Sequence, residues 1–269
     1  MASLCIFVKQ FFFYMKIALI QCSLFWENPT ANRNYFEEKI NAITEKVDLI
    51  VLPEMFTTGF TMNPIDIAET MQGETIMWLQ SLAKAKNSAI IGSLIVEENN
   101  NYYNRLVFVF PSGEIQFYNK RHLFTLAGED KIYTSGKEKL IVEYLGWKIC
   151  PLICYDLRFP VFARNREDYD LLIYVANWPK PRINAWDILL QARSVENMCY
   201  TIGVNRTGVD ANQYEYVGHS QAIDFLGNYI LGPQETEGVF IVELNKEKML
   251  ETRKKLGFLN GKDSFELKP

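Results

Sequence analysis

Histidine is nearly missing from this chain: His122 and His219 are the only two in 269 residues. A histidine-rich metal site therefore has no material. A histidine-based catalytic group would have to use one of these two. Cysteine is sparse as well. Five are scattered at 5, 22, 150, 154 and 199, an odd number without the close spacing of a disulfide framework. Free thiols suit a reducing compartment, so a cytoplasmic location is expected. Neither sign of charge dominates. The formal net charge of −4 argues against a general nucleic-acid binder. No apolar run reaches the roughly 20 residues that cross a bilayer, so no membrane span is expected. Residues 1–14 are apolar but broken by Lys9 and Gln10. They lack the basic start and small-residue cleavage site of a secretory signal. We read residues 1–14 as a leader or mis-assigned start outside the fold, and 15–269 as one domain. There is no internal repeat, no Pro/Gly/Ser-rich boundary and no Gly-rich phosphate loop. No metal ligands stand at useful spacing, and no cofactor is expected.

What is present is enough to fold without a staple. Hydrophobic residues make up 48% and charged residues 22%, which supports a sizeable core. From Lys16 onward strands and helices alternate. Strands are expected at Lys16–Gln21, Asp48–Pro53, Ser88–Val96, Tyr103–Pro111, Ile115–Asn119, Lys139–Tyr144, Trp147–Cys154, Leu171–Ala176 and Thr201–Asn205. Further strands are expected at Ser220–Asp224, Tyr229–Leu231 and Val239–Leu244. Helices are expected at Asn32–Glu45, Glu74–Asn87, Ala185–Asn197 and Lys246–Lys255. This is an α/β chain. Its strands are too many, and too often antiparallel neighbours, for a simple doubly wound sheet. Two packed sheets flanked by helices accommodate them.

Three polar residues stand where expected strands stop. Glu54 ends the run Asp48-Leu49-Ile50-Val51-Leu52-Pro53, Lys120 follows Ile115–Asn119, and Cys154 ends Trp147–Ile153. In α/β folds chemistry gathers where strands end and loops begin. A thiol, a carboxylate and an ammonium converging there make a nucleophilic site: the carboxylate takes the thiol proton, and the ammonium stabilises an oxyanion. Each has a plainer reading, since Cys is among the most buried residue types and a lone Glu or Lys is usually a surface charge. Cys150 shares a strand face with Cys154. Position favours Cys154, because the apolar run stops there while Cys150 is mid-strand. A redox pair of Cys150 and Cys154 lacks the Cys-x-x-Cys spacing.

Five segments together carry a resemblance. Leu52-Pro53-Glu54, Tyr118-Asn119-Lys120-Arg121-His122-Leu123 and Cys154-Tyr155-Asp156-Leu157-Arg158-Phe159-Pro160 resemble the three signatures of the nitrilase, or carbon–nitrogen hydrolase, superfamily. Val175-Ala176-Asn177-Trp178-Pro179 and Ala192-Arg193-Ser194-Val195-Glu196-Asn197 resemble two further segments of that family. Order and spacing also match, over nearly the whole chain from Lys16. The resemblance implies a four-layer αββα sandwich and a Glu-Lys-Cys triad. Glu54 would then be the general base, Lys120 the oxyanion-stabilising cation and Cys154 the nucleophile. It also implies a second glutamate after the lysine, a place occupied by Glu129 with Asp130 as its close competitor. A homodimer is the family expectation.

Within the superfamily, Lys-Arg-His-Leu-Phe, Ala-Gly-Glu and Tyr-Val-Ala-Asn-Trp-Pro look most like the omega-amidase branch. That branch hydrolyses the terminal amide of 2-oxo dicarboxylic acid monoamides such as 2-oxoglutaramate and 2-oxosuccinamate. A nitrile, an aliphatic amide or an N-carbamoyl compound is the alternative substrate, and a non-catalytic binding member is a further one. A substrate carboxylate needs a donor in the pocket. Arg158 is a candidate, although a structural salt bridge beneath the Cys154 turn is the preferred reading of it. Nothing in the spacing decides where Arg182 points. The Tyr155 backbone N–H is a candidate oxyanion donor. Asn177, Trp178 and Phe60 are candidate pocket residues, the two aromatics being equally plausible as core. His122 is expected to support the lysine loop by hydrogen bonding rather than to form a Cys-His dyad.

Overall fold

The computed structural model describes residues 13–267. In chain order its strands and helices begin with β1 (Tyr14–Gln21), α1 (Pro29–Asn41), β2 (Leu49–Val51), α2 (Glu74–Lys86), β3 (Ala89–Glu98), β4 (Asn101–Val109) and β5 (Ile115–Asn119). A four-residue helix α3 (Glu129–Ile132) leads to β6 (Val142–Tyr144) and β7 (Trp147–Ile153). Then come α4 (Pro160–Ala163), β8 (Leu171–Val175), α5 (Ile183–Asn197), β9 (Tyr200–Val204), β10 (Thr207–Val209) and β11 (Glu215–Val217). The chain closes with β12 (Ser220–Ile223), β13 (Tyr229–Gln234), β14 (Gly238–Asn245) and α6 (Lys246–Leu256). Helix α1 starts as its sequence dictates: Asn28 caps the Ala31 N–H at 3.1 Å, with Pro29 in the first turn.

Two six-stranded sheets carry the fold. One runs β14-β1-β2-β3-β4-β5 and the other β13-β12-β9-β8-β7-β6. Each has three parallel strands at its centre, β1-β2-β3 in one and β7-β8-β9 in the other, with antiparallel strands outside. The alternation of side chains along each strand sorts the core. Ile17, Leu19, Val51, Ile91 and Phe108 join the core that unites the sheets. Their neighbours Ala18, Ile20, Ile50, Ile90 and Val107 pack instead against Phe36 and Ile40 of α1 and Leu79 and Ala83 of α2. Trp186 and Leu190 of α5 and Met249 of α6 cover the second sheet. The layers are therefore helix, sheet, sheet, helix, as the sequence led us to expect.

The elements expected from periodicity are all found, with ends displaced by a few residues. The short β10–β11 hairpin and the four-residue helices α3 and α4 lack such a signal. The expectation for residues 1–14 falls, for 1–12, outside the described residues. Tyr14 itself belongs to the sheet, pairing with Asn245, and the Phe13 carbonyl accepts the Lys246 N–H at 2.7 Å. Among the described residues the first sheet therefore includes Tyr14. No helix among the described residues is long and apolar enough to cross a membrane.

Close approach of α5 to β9 depends on Gly203. A Cβ there would stand 2.5 Å from Leu190 Cδ1 and 2.6 Å from Trp186 Cζ2. Gly203→Ala should cost about 1–3 kcal/mol, as overpacking of a filled core does. A fall in the urea midpoint at unaltered m-value is the expected reading, and an unaltered midpoint would show that α5 has room to shift.

Candidate active site

The three side chains of the expected triad come from strand exits, and Glu129 joins them from the start of α3. The carboxylate of Glu54 lies three residues beyond β2, Lys120 directly follows β5, and Cys154 directly follows β7. The two sheets put these exits at one end of the sandwich. Lys120 Nζ is 2.9 Å from Glu54 Oε1, 2.9 Å from Glu129 Oε2 and 3.0 Å from Glu129 Oε1. The three groups are buried, with Lys120 only 1% exposed. Asp130 is exposed, so Glu129 is the second glutamate of the cluster.

Burying ions is costly unless donors meet the remaining lone pairs. Here they do. Asn104 Nδ2 donates to Glu54 Oε1 at 2.8 Å and to Glu129 Oε1 at 3.3 Å. The Asn177 N–H donates to Glu54 Oε2 at 2.8 Å, and Asn177 Nδ2 to the Glu54 carbonyl at 2.6 Å. The Phe124 N–H donates to Glu129 Oε2 at 2.6 Å. Asn177, expected among substrate contacts, also lines the cavity described below, but its donors are committed to Glu54. Asn104 was not singled out from the sequence. Asn104 is wholly buried beside Arg105 in β4, a polar group that needs a partner.

Cys154 sits at the turn between β7 and a 3₁₀ turn, Cys154–Arg158, with φ of 43°. This left-handed backbone is unusual for a side chain with a Cβ. Asp156 holds it. Its buried carboxylate accepts the Ile153 N–H at 3.0 Å, the Tyr118 hydroxyl at 2.8 Å and the His122 N–H at 3.1 Å, and pairs with His122 Nδ1 at 2.7 Å. The same side chain thereby ties the thiol turn to the lysine loop. His122 stacks on Phe159 with centroids 3.7 Å apart. It supports the loop, as expected, and makes no contact with the thiol.

Burial pushes the Cys154 thiol well above its ordinary value, and the Glu54 charge and hydrogen bond push it further, against the pull of Lys120. Burial works to lower Lys120, but Glu129 and Glu54 outweigh it and raise the ammonium. Burial also raises Glu129, with Lys120 opposing. These directions favour the neutral thiol on Cys154 and the charged form of Lys120.

Above these groups opens a cavity of about 590 Å³. Phe60, Lys120, Cys154, Tyr155, Asn177 and Trp178 line it, with Arg158 and Arg182. Phe60 lies 5.2 Å beneath the Lys120 ammonium, and Trp178, 3% exposed, belongs to the core and to the cavity wall at once. Arg158 corrects the sequence reading. It makes no ion pair among the described residues; its guanidinium stacks on Trp178, 5.0 Å from the ring centroid. The turn is steadied instead by Arg193 Nη2, which donates to the Leu157 carbonyl at 2.6 Å. Cys150 is wholly buried in the core between the sheets. Among the described residues no group of three or more His, Cys, Asp and Glu side chains is placed to hold a metal ion.

A strand-exit thiol beside a buried carboxylate–ammonium cluster, in a two-sheet sandwich, defines a carbon–nitrogen hydrolase. The carbon–nitrogen hydrolase family model matches residues 16–254, and the chain belongs to that family. Among curated relatives it is 41% identical to the omega-amidase YafV of Escherichia coli (strain K12) over 254 residues, 94% of this chain and 98% of that one. It is 32% identical to the 2-oxoglutaramate amidase of Bacillus subtilis (strain 168) over 245 residues, 89% and 94% of the two chains. Among solved structures, XC1258 from Xanthomonas campestris, a CN-hydrolase superfamily protein with an arsenic adduct in its active site, superposes with a TM-score of 0.93. The two are 42% identical, over 95% of this chain and 99% of that one.

The raised thiol gives a sign to the pH dependence. The ordinary value is 9.0 and the shift is upward, so at neutral pH the thiolate fraction is smaller than that of a free cysteine. Alkylation of Cys154 by iodoacetamide, followed by mass spectrometry, should keep rising with pH beyond 9. A plateau at or below pH 7 would show a resting thiolate. Cys22 and Cys199, wholly buried and outside the cavity lining, should react more slowly than Cys154 throughout.

Proposed function

We propose that this enzyme is an omega-amidase that cleaves the terminal amide of 2-oxo dicarboxylic acid monoamides, 2-oxoglutaramate and 2-oxosuccinamate, to the 2-oxo acid and ammonia. The observation that carries the reading is one cavity holding both Cys154 and a guanidinium, Arg158, that has no acidic partner among the described residues. The first suits an amide and the second a carboxylate. The names of the relatives point the same way.

In this reading Glu54, Lys120 and Cys154 form the triad. Cys154 passes its proton to Glu54 as the sulfur attacks the amide carbonyl carbon. Because the thiol pKa is raised, the base and the attack must act together. The oxyanion faces Lys120 Nζ and the Tyr155 backbone N–H, which lies in the first turn of the 3₁₀ segment and so has no partner within it. Glu54 then returns the proton to the departing nitrogen, and ammonia leaves a thioester on Cys154. Water attacks the thioester carbonyl, its proton taken by Glu54. The acid leaves and the thiol is restored. Glu129 acts by holding Lys120, Arg158 takes the substrate carboxylate, and Trp178 and Phe60 wall the chain between. No cofactor is invoked.

Ammonia release from 2-oxoglutaramate, 2-oxosuccinamate, a simple aliphatic amide, a nitrile and N-carbamoyl-β-alanine tests the reading. The 2-oxo amides should be turned over fastest, and Cys154→Ala should abolish release while leaving the circular dichroism spectrum intact. Preference for another compound would keep the triad and overturn the omega-amidase assignment. Release by Cys154→Ala near the wild-type rate would overturn the triad.

We further place the working form in the cytoplasm as a homodimer. Exposed Val161 beside the nucleophile turn, and exposed Ile188 and Val195 on α5, support a partner there. Sedimentation at micromolar concentration should give twice the chain mass; a monomer would remove the dimer from the proposal.

A further inference from the structure

The cavity mouth holds a second unspent cation. Arg182 ends the 3₁₀ turn Lys180–Arg182 that leads into α5, and its guanidinium stacks on Phe124, 5.1 Å from the ring centroid. The Arg182 carbonyl accepts the Trp178 indole N–H at 2.7 Å, and Trp178 is the ring on which Arg158 stacks. Phe124 in turn packs edge-on against Tyr155, centroids 5.0 Å apart. Arg158, Trp178, Arg182, Phe124 and Tyr155 therefore form a chain of contacts along the lining of the cavity that holds Cys154.

The charges of this lining do not balance. Lys120 is matched by Glu54 and Glu129. The one acid of the lining, Asp210, is occupied by its own loop: it accepts from the Asn212 and Tyr214 N–H groups at 2.8 and 3.0 Å and from the Tyr216 hydroxyl at 2.9 Å. Neither Arg158 nor Arg182 has a side-chain hydrogen bond or ion pair with any described residue. Stacking on an aromatic face orients a guanidinium while leaving its edge donors free. Two such forks exceed what a neutral amide can use. They suit a head group with several acceptor oxygens and a negative charge.

We propose that Arg182 is a specificity-determining residue, the second arm of a two-arginine clamp that grips the 2-oxo acid head of the substrate together with Arg158. The clamp sets the preference for acid-bearing over uncharged amides. The assignment of the head as a 2-oxo acid rests on the omega-amidase reading; the clamp itself requires only a carboxylate.

The test is Arg182→Met, with Arg182→Lys as the conservative partner. Wild type and variants are assayed on 2-oxoglutaramate, on glutaramate and on butyramide. Arg182→Met should raise KM for the two acid amides at least tenfold with a smaller effect on kcat. The kcat/KM ratio of acid amide to butyramide should fall at least tenfold, and Arg182→Lys should recover part of it. A parallel loss on all three amides, or no loss, would overturn the clamp. A second readout does not depend on turnover. 2-Oxoglutarate should protect Cys154 from iodoacetamide in the wild type and protect it at least tenfold less in Arg182→Met. Equal protection in both would overturn the proposal. Absence of 2-oxoglutaramate turnover in the wild type would count against the omega-amidase reading alone, and the protection experiment would still decide the clamp.

Discussion

One ammonium between two carboxylates organises this molecule. Lys120, Glu54 and Glu129 are all taken out of water, at a cost of several kcal/mol per ion before their attraction is counted. One ammonium cannot meet every lone pair of two carboxyl groups, so other donors must meet the rest. Asn104, Asn177 and the Phe124 N–H supply them. These donors come from β4, from the exit of β8 and from the loop before α3. The cluster exists only when strands of both sheets and that loop are in register, which makes it a test of correct folding as much as a chemical centre.

The two sheets reach that register by repeating one plan. Each centres on three parallel strands, and each sends a polar residue out of a central strand: Glu54 beyond β2 and Cys154 after β7. Both exits bend sharply. Met55, next to Glu54, has φ of 42°, and Cys154 has 43°. Each bend is pinned by a polar side chain, Ser93 Oγ accepting the Met55 N–H at 2.8 Å and Asp156 accepting the Ile153 N–H at 3.0 Å. The acid and the thiol are thus offered by the same device from facing layers, with Lys120 entering from β5 at the side.

Much of this was legible because strand ends are written as the end of an apolar run. Asp48–Pro53 and Trp147–Cys154 show where Glu54 and Cys154 stand, and the helix periods of α2 and α5 place the outer layers. Three things were not legible. Asn104 sits in a strand whose pattern says only that it is buried; which charge it serves depends on the fold bringing Glu54 and Glu129 beside it. The direction of Arg158 depends on Trp178, twenty residues further on in the chain. The β10–β11 hairpin has strands of three residues, too short for alternation to register. In the first two cases the deciding partner is distant in sequence, and one chain without its folded form does not name it.

The bend at Cys154 sets activity against stability at a single position. An L-residue in the left-handed region costs about 1–2 kcal/mol that glycine does not incur, and the buried thiol sits beside a carboxylate that disfavours its ionisation. The fold is held in this shape by the four contacts of Asp156, not by any preference of residue 154. A lineage released from the need to cut amides would therefore drift toward glycine or asparagine there, keeping the sandwich and relaxing the turn. In the proposed reading, cysteine at that bend carries a backbone strain that glycine would not incur, and only its chemistry offsets it.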